Sequence, residues 1–161
     1  MNLDPVTTPG AEIERRIDRF KQELEHAGID AVLLLQASDL FYFAGTIQQS
    51  HLYIPVDGEP LLMVRKDFDR ARVESPLKRV AALHSPKQLP DLLRENGQRL
   101  PGRLGLELDV LPSNLYFVYQ SIFNDAQLAD VSPAVRTVRA VKSEYEIGLI
   151  TQAAALSDQV A

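Results

Sequence analysis

Two short apolar runs, His51–Val56 and Leu61–Arg65, flank the tetrapeptide Asp57-Gly58-Glu59-Pro60. Asp-Gly readily takes the positive backbone angles of a tight reversal, so the two runs are expected to pair as an antiparallel hairpin. That pairing excludes an all-parallel sheet, even though the remaining chain reads as strands alternating with helices. Ile29–Leu35 is an apolar run bounded by turn residues, as in a strand covered on both faces. Arg79–His84, Arg103–Val110 and Gln127–Val131 read as further strands, with Leu104, Leu106 and Leu108 alternating in the second of these. Ile13, Ile17, Phe20 and Leu24 recur at helical spacing, between Thr8-Pro9 at the expected start and Gly28 at the expected stop. Ser38–Ala44 reads as a short capped helix ended by Gly45, and Lys66–Glu74 as another. Ser85-Pro86-Lys87-Gln88 forms a capping box ahead of Leu89, Leu92 and Leu93, and Pro112 opens a helix through Leu115, Phe117, Val118 and Ile122. The expected fold is α/β, a three-layer mixed sheet of about six strands with helices on both faces.

The last stretch sets the domain organisation. Ser143 and Glu146 have capping-box spacing, and Ser132–Val138 leads towards the helix they open. Beyond them Ile147, Leu149, Ile150, Ala153, Ala154, Leu156 and Val160 occupy half of the helix circumference at about 100° per residue. No Gly, Asn or basic residue closes this helix before Ala161. The expected organisation is a flexible arm over 1–10, a folded unit over 11–138, and a linker helix over 139–161 leading to a further, missing domain.

Composition and motifs exclude several functions. With 161 residues and 45% hydrophobic content, the chain can bury one substantial core. Its net charge of −5 and scattered basic residues argue against a nucleic-acid partner. The absence of cysteine removes disulfides and thiolate metal sites and suits a cytoplasmic location. No apolar run is long enough to span a membrane, and the first residues do not resemble a signal peptide. The first strand runs into Gln36-Ala37-Ser38-Asp39 rather than a glycine-rich phosphate loop.

Glu107 and Asp109 are two apart on an expected strand and would share one face. Without an Asp in the middle of the first strand they do not make a two-metal nuclease site, and they read as a solvated acidic pair. His26, His51 and His84 lack the spacing of zinc ligands. Only His51 opens a hairpin after a loop, where a polar group can face a ligand. No Gly-x-Ser-x-Gly is present. The residues by themselves show no catalytic constellation.

Two stretches carry a family resemblance. Asp30–Leu35 followed by Ser38-Asp-Leu-Phe-Tyr-Phe-Ala-Gly45 is similar to the opening of the creatinase/prolidase N-terminal domain. Arg139-Ala-Val-Lys-Ser-Glu-Tyr-Glu-Ile147 resembles the segment joining that domain to the pita-bread metallopeptidase domain of Xaa-Pro dipeptidases and aminopeptidases P. The resemblance covers nearly all of residues 11–161 and implies a fold with a ribonuclease H-like motif. It implies a parent that cleaves the bond before proline, using two divalent ions (Mn, Co or Zn) held by Asp, His and Glu residues of the C-terminal domain. None of those metal motifs occurs in this chain, so it is expected to supply no catalytic residue and no metal ligand. Its implied partners are the pita-bread domain, a second copy in a homodimer, and a proline-containing peptide in the parent. The resemblance implies a wall of the neighbouring subunit's active site, which family members often build from the loop after the first short helix; here that loop is 46–51, which makes Gln48, Gln49 and His51 the substrate-facing candidates. Its sequence differs from the aromatic or Arg-bearing loop of creatinase. A creatinase-like hydrolase and a stand-alone binding or dimerisation module are the alternatives.

Overall fold

A computed structural model describes residues 7–158. The elements run α1 (Gly10–His26), β1 (Ala31–Leu34), α2 (Ala37–Ala44), β2 (Ser50–Pro55), β3 (Leu61–Val64), α3 (Phe68–Glu74), β4 (Val80–Ala82), a 3₁₀ turn (Pro86–Gln88), α4 (Leu89–Glu95), β5 (Arg103–Leu106), α5 (Ser113–Ile122), β6 (Gln127–Asp130), α6 (Ser132–Ala140) and α7 (Glu144–Asp158). The six strands form one sheet in the order β4-β3-β2-β1-β5-β6. As the Asp-Gly turn requires, β2 pairs antiparallel with β3; β2 also pairs antiparallel with β1, while β1–β5, β3–β4 and β5–β6 are parallel.

Alternation along the strands sorts the core into two layers. Val32, Leu34, Leu52, Ile54, Leu62 and Val64 point to one face, where Ile13, Ile17, Phe20 and Leu24 of α1, Leu40 and Phe43 of α2, and Val135 and Val138 of α6 cover them. Ala31, Leu33, Tyr53, Leu61, Met63, Leu104 and Leu106 point to the other, beneath Leu89 and Leu93 of α4 and Tyr119 and Phe123 of α5. Gly105 of β5 faces the first layer, where a Cβ would sit 2.2 Å from Val131 Cγ1, so only glycine fits there without a shift.

Helix ends follow the local chemistry, with shifts of a residue or two. Gly28 closes α1 at φ 64°, with its N–H on the Glu25 carbonyl and the Ile29 N–H on that of Leu24, a Schellman pattern. The helix begins at Gly10, with Pro9 at the capping position and no side-chain cap, one residue later than Thr8-Pro9 suggests. The Ser85–Gln88 box forms as expected, but around a 3₁₀ turn that precedes α4. Of the arm expected over 1–10, residues 1–6 lie outside the described residues, as do 159–161 of the expected linker helix.

Two expectations need correction. The strand expected over Arg103–Val110 ends at Leu106, so Glu107 and Asp109 sit in the turn beyond it, and Glu107 is 7% exposed rather than solvated. In α5, Leu115 and Ile122 pack against the core as the spacing suggests, but Phe117 and Val118 face outward, whereas Tyr119 and Phe123 bury. Helical spacing alone could not separate these faces, because tyrosine and phenylalanine flank both.

Candidate functional site

The loop 46–51 is held from below by one carboxylate. Gly45 ends α2 at φ 73°, and a Cβ there would lie 3.2 Å from Pro76 Cδ, which brings the loop against the segment after α3. Thr46 Oγ1 donates to Glu74 at 2.6 Å, Gln48 Nε2 donates to the same oxygen at 3.2 Å, and Arg70 Nε pairs with its other oxygen at 2.6 Å. Burial pushes the Glu74 carboxyl up, but the hydrogen bonds from Thr46, Arg70 and Gln48 outweigh it and hold the group below its ordinary range. Gln48 is thereby turned inward. Gln49 and Ile47 form the exposed crest.

His51 lies within β2, 3% exposed, with its side chain in the layer under α5. Its Nε2 is 2.7 Å from Tyr119 Oη, while Nδ1 has no hydrogen-bond partner. Burial, assisted by the Arg65 charge, pushes the imidazole down to about 4, so it is neutral at pH 7. Of the three substrate-facing candidates, the structure therefore puts Gln49 at the surface, Gln48 beneath it, and His51 in the core.

A second constellation, at the foot of α7, is one the sequence reading missed. Arg16 is buried and reaches three elements: Nε to Glu12 at 2.9 Å, Nη1 to the Tyr42 carbonyl at 2.8 Å, and Nη2 to Glu146 at 3.2 Å. Its guanidinium also stacks 4.1 Å from the Tyr42 ring centroid. The Ser143–Glu146 box forms, with Glu146 N–H on Ser143 Oγ at 3.0 Å and Ser143 N–H on Glu146 at 2.8 Å. Ser143 Oγ in turn donates to Glu12 at 2.9 Å. The cap that starts α7 is thus tied to α1. The available signal was the Glu12/Arg16 spacing, which puts both beside Ile13 and Ile17 on the buried face. Past this tie Ile147, Leu149, Ile150 and Leu156 stay exposed.

The third constellation lies beyond the ends of β1 and β5. Asp39, 1% exposed, accepts from Arg139 at 2.7 Å, and Asp109 pairs with Arg136. Glu107 is pushed up to about 8 by burial and then by the adjacent Asp39 and Asp109 charges, against the pull of Arg139. No group of three or more His, Cys, Asp or Glu among the described residues is arranged to hold a metal ion. No helix there is long and apolar enough to cross a membrane.

Known proteins share this sequence and fold. The chain is 29% identical to a creatinase of a Bacillus species over 160 residues, covering 91% of this chain and 38% of that protein. Prolidase from Pyrococcus horikoshii superposes with a TM-score of 0.74 at 21% identity, over 90% of this chain and 40% of that one. The N-terminal domain of a Streptococcus pyogenes X-Pro dipeptidase superposes with a TM-score of 0.65 at 19% identity, over 76% of this chain and 98% of that domain. The chain spans about two fifths of the length of the curated relatives it matches, 38% to 44% for the first three. The profile of the creatinase/prolidase N-terminal domain matches residues 16–141, and the chain belongs to that family.

Proposed function

We infer that this chain is the non-catalytic N-terminal domain of an Xaa-Pro metallopeptidase of the prolidase type. The observation that carries this is the family match over residues 16–141 in relatives whose length is less than half covered. The exposed apolar stripe of α7, fastened at its foot by Arg16, supports a linker helix that continues into a following domain. In this reading the two divalent ions (Mn, Co or Zn) belong to that domain. The described residues of this chain offer them no seat, and no step of the reaction is assigned to them. The domain contributes a homodimer contact in the cytoplasm and a wall of the substrate pocket. Loop 46–51 forms that wall, with Gln49 outermost and Gln48 and His51 supporting the loop from beneath.

A second reading, the equivalent domain of a creatinase-like hydrolase, is favoured by the 29% identity to a creatinase. Reading the coding sequence beyond Ala161 tests both. A following domain with two Asp, one His and two Glu in metal-binding order is expected, and substrate screening of the whole protein then separates Xaa-Pro peptides from creatine. A stop codon directly after Ala161 would instead support a stand-alone binding or dimerisation module.

A further inference from the structure

Of the helices covering the first layer, α3 is the least anchored: Ala71 is its single buried residue, with Phe68 partly buried beside it. The helix is seven residues long, and Asp67 leads into it from the left-handed region at φ 57° without a side-chain capping bond. Helices this short do not persist alone in water, so α3 keeps its shape only while docked. At its far end Ser75 leaves the helical region ahead of Pro76. An element with so little buried apolar surface belongs to the low-stability end of a fold, where opening occurs without global unfolding.

The segment 46–48 depends on this helix. The Gly45 N–H donates to the Phe41 carbonyl and the Gln49 carbonyl accepts from Arg65; between them, among the described residues, 46–48 make no backbone–backbone hydrogen bond. Their side chains alternate instead. Thr46 and Gln48 are buried and both donate to Glu74, while Ile47 and Gln49 point outward. Thr46 Oγ1 also accepts the Gln48 N–H at 3.2 Å. The end of α3 packs directly on Gly45, where an added Cβ would lie 3.4 Å from the Glu74 carbonyl oxygen. Undocking of α3 withdraws the acceptor from two buried donors at once, and the loop loses its support while the sheet keeps its ladder.

We infer that α3 and the segment 46–48 open as one unit, with Glu74 as the residue that positions the Ile47–Gln49 crest. The crest then has two states, fixed while α3 is docked and free when it is not. Coupling of this kind is reciprocal, so a surface that binds the fixed crest also holds α3 in place. The consequence for substrate rests on loop 46–51 forming the pocket wall; the coupling itself does not.

Native-state amide exchange on this chain tests the coupling. After correction for intrinsic rates, the Gln48 and Ser75 amides should be equally protected within about threefold, and at least about a hundredfold less than the β1–β2 ladder. A71G, which weakens α3 without touching the loop, should speed both amides together by about fivefold. E74A should speed Gln48 by at least about tenfold while moving Ser75 by about twofold or less. A71G added to E74A should then leave Gln48 unchanged. E74Q, which keeps one acceptor oxygen, should fall between wild type and E74A. Gln48 unmoved by A71G, unmoved by E74A, or protected to the level of the ladder would each overturn the inference. In the whole protein, E74A should raise KM about two- to tenfold at unchanged kcat, because the crest side chains must be ordered on binding. KM raised by Q49A but not by E74A would overturn Glu74 as the positioning residue, whereas KM unmoved by both would overturn the wall reading alone.

Discussion

The buried ionisable groups make a quantitative prediction for how stability depends on pH. Glu107 ionises near its ordinary value of 4.5 in the unfolded chain but only at about 8 in the folded one. Between those values the folded state holds the extra proton, so stability falls as pH rises, by about 1.4 kcal/mol per unit. His51 works in the opposite direction. Its ordinary value of 6.5 drops to about 4 on folding, so between those values the unfolded state holds the extra proton and stability rises with pH. The two slopes cancel from pH 5 to 6.5, and above that the Glu107 slope alone remains. Wild-type stability is therefore expected to be flat to pH 6.5 and then to fall by about 2 kcal/mol by pH 8. Glu12, Glu74 and Asp130 are held below their ordinary values and lose their contribution only as pH falls through the acidic range, outside this window.

E107Q removes one slope and leaves the other. Its stability should rise by about 2 kcal/mol from pH 5 to 6.5 and then stay level, so that E107Q ends above wild type at pH 8. Urea denaturation at half-unit steps from pH 5 to 8.5 measures both curves. Parallel curves for wild type and E107Q would refute the placement of Glu107 as a buried acid beside Asp39.

Other perturbations reach separate parts of the fold. R16M leaves Glu12 and Glu146 without their shared cation, and a loss of about 3 kcal/mol with faster amide exchange at Ile147 is expected from denaturation and hydrogen-exchange measurements. G105A drives a methyl into Val131 and should cost about 1–3 kcal/mol in the same denaturation assay. Q49A, at the exposed crest of the loop, should leave stability within about 0.5 kcal/mol while raising KM in the whole protein if the loop walls the substrate pocket. Sedimentation should show self-association through the bare stripe of α7 that weakens when Ile150 is replaced by Lys; a strictly monomeric chain would count against interface use.

The sheet was legible because its signals were local. Asp57-Gly58 fixes the hairpin, Gly28 and Gly45 stop helices by adopting the left-handed conformation, and continuous apolar runs mark strands covered on both faces. The loop candidates came from the family resemblance, which gives a position along the chain but not a side-chain direction. His51 illustrates the limit. It stands at the mouth of a hairpin in sequence, yet the two-residue period of β2 turns it with Tyr53 into the layer under α5. The Arg16 tie and the Asp39–Glu107 pair were illegible for another reason. Each joins residues far apart in sequence, over 130 positions for Ser143 and Glu12, and burial that depends on tertiary packing leaves no periodic trace.

Assaying the purified chain against Xaa-Pro dipeptides with Mn²⁺ or Co²⁺ tests whether it supports a catalytic domain without catalysing. No hydrolysis above the metal-only blank is expected. Turnover that scales with protein concentration and disappears with a chelator would contradict it.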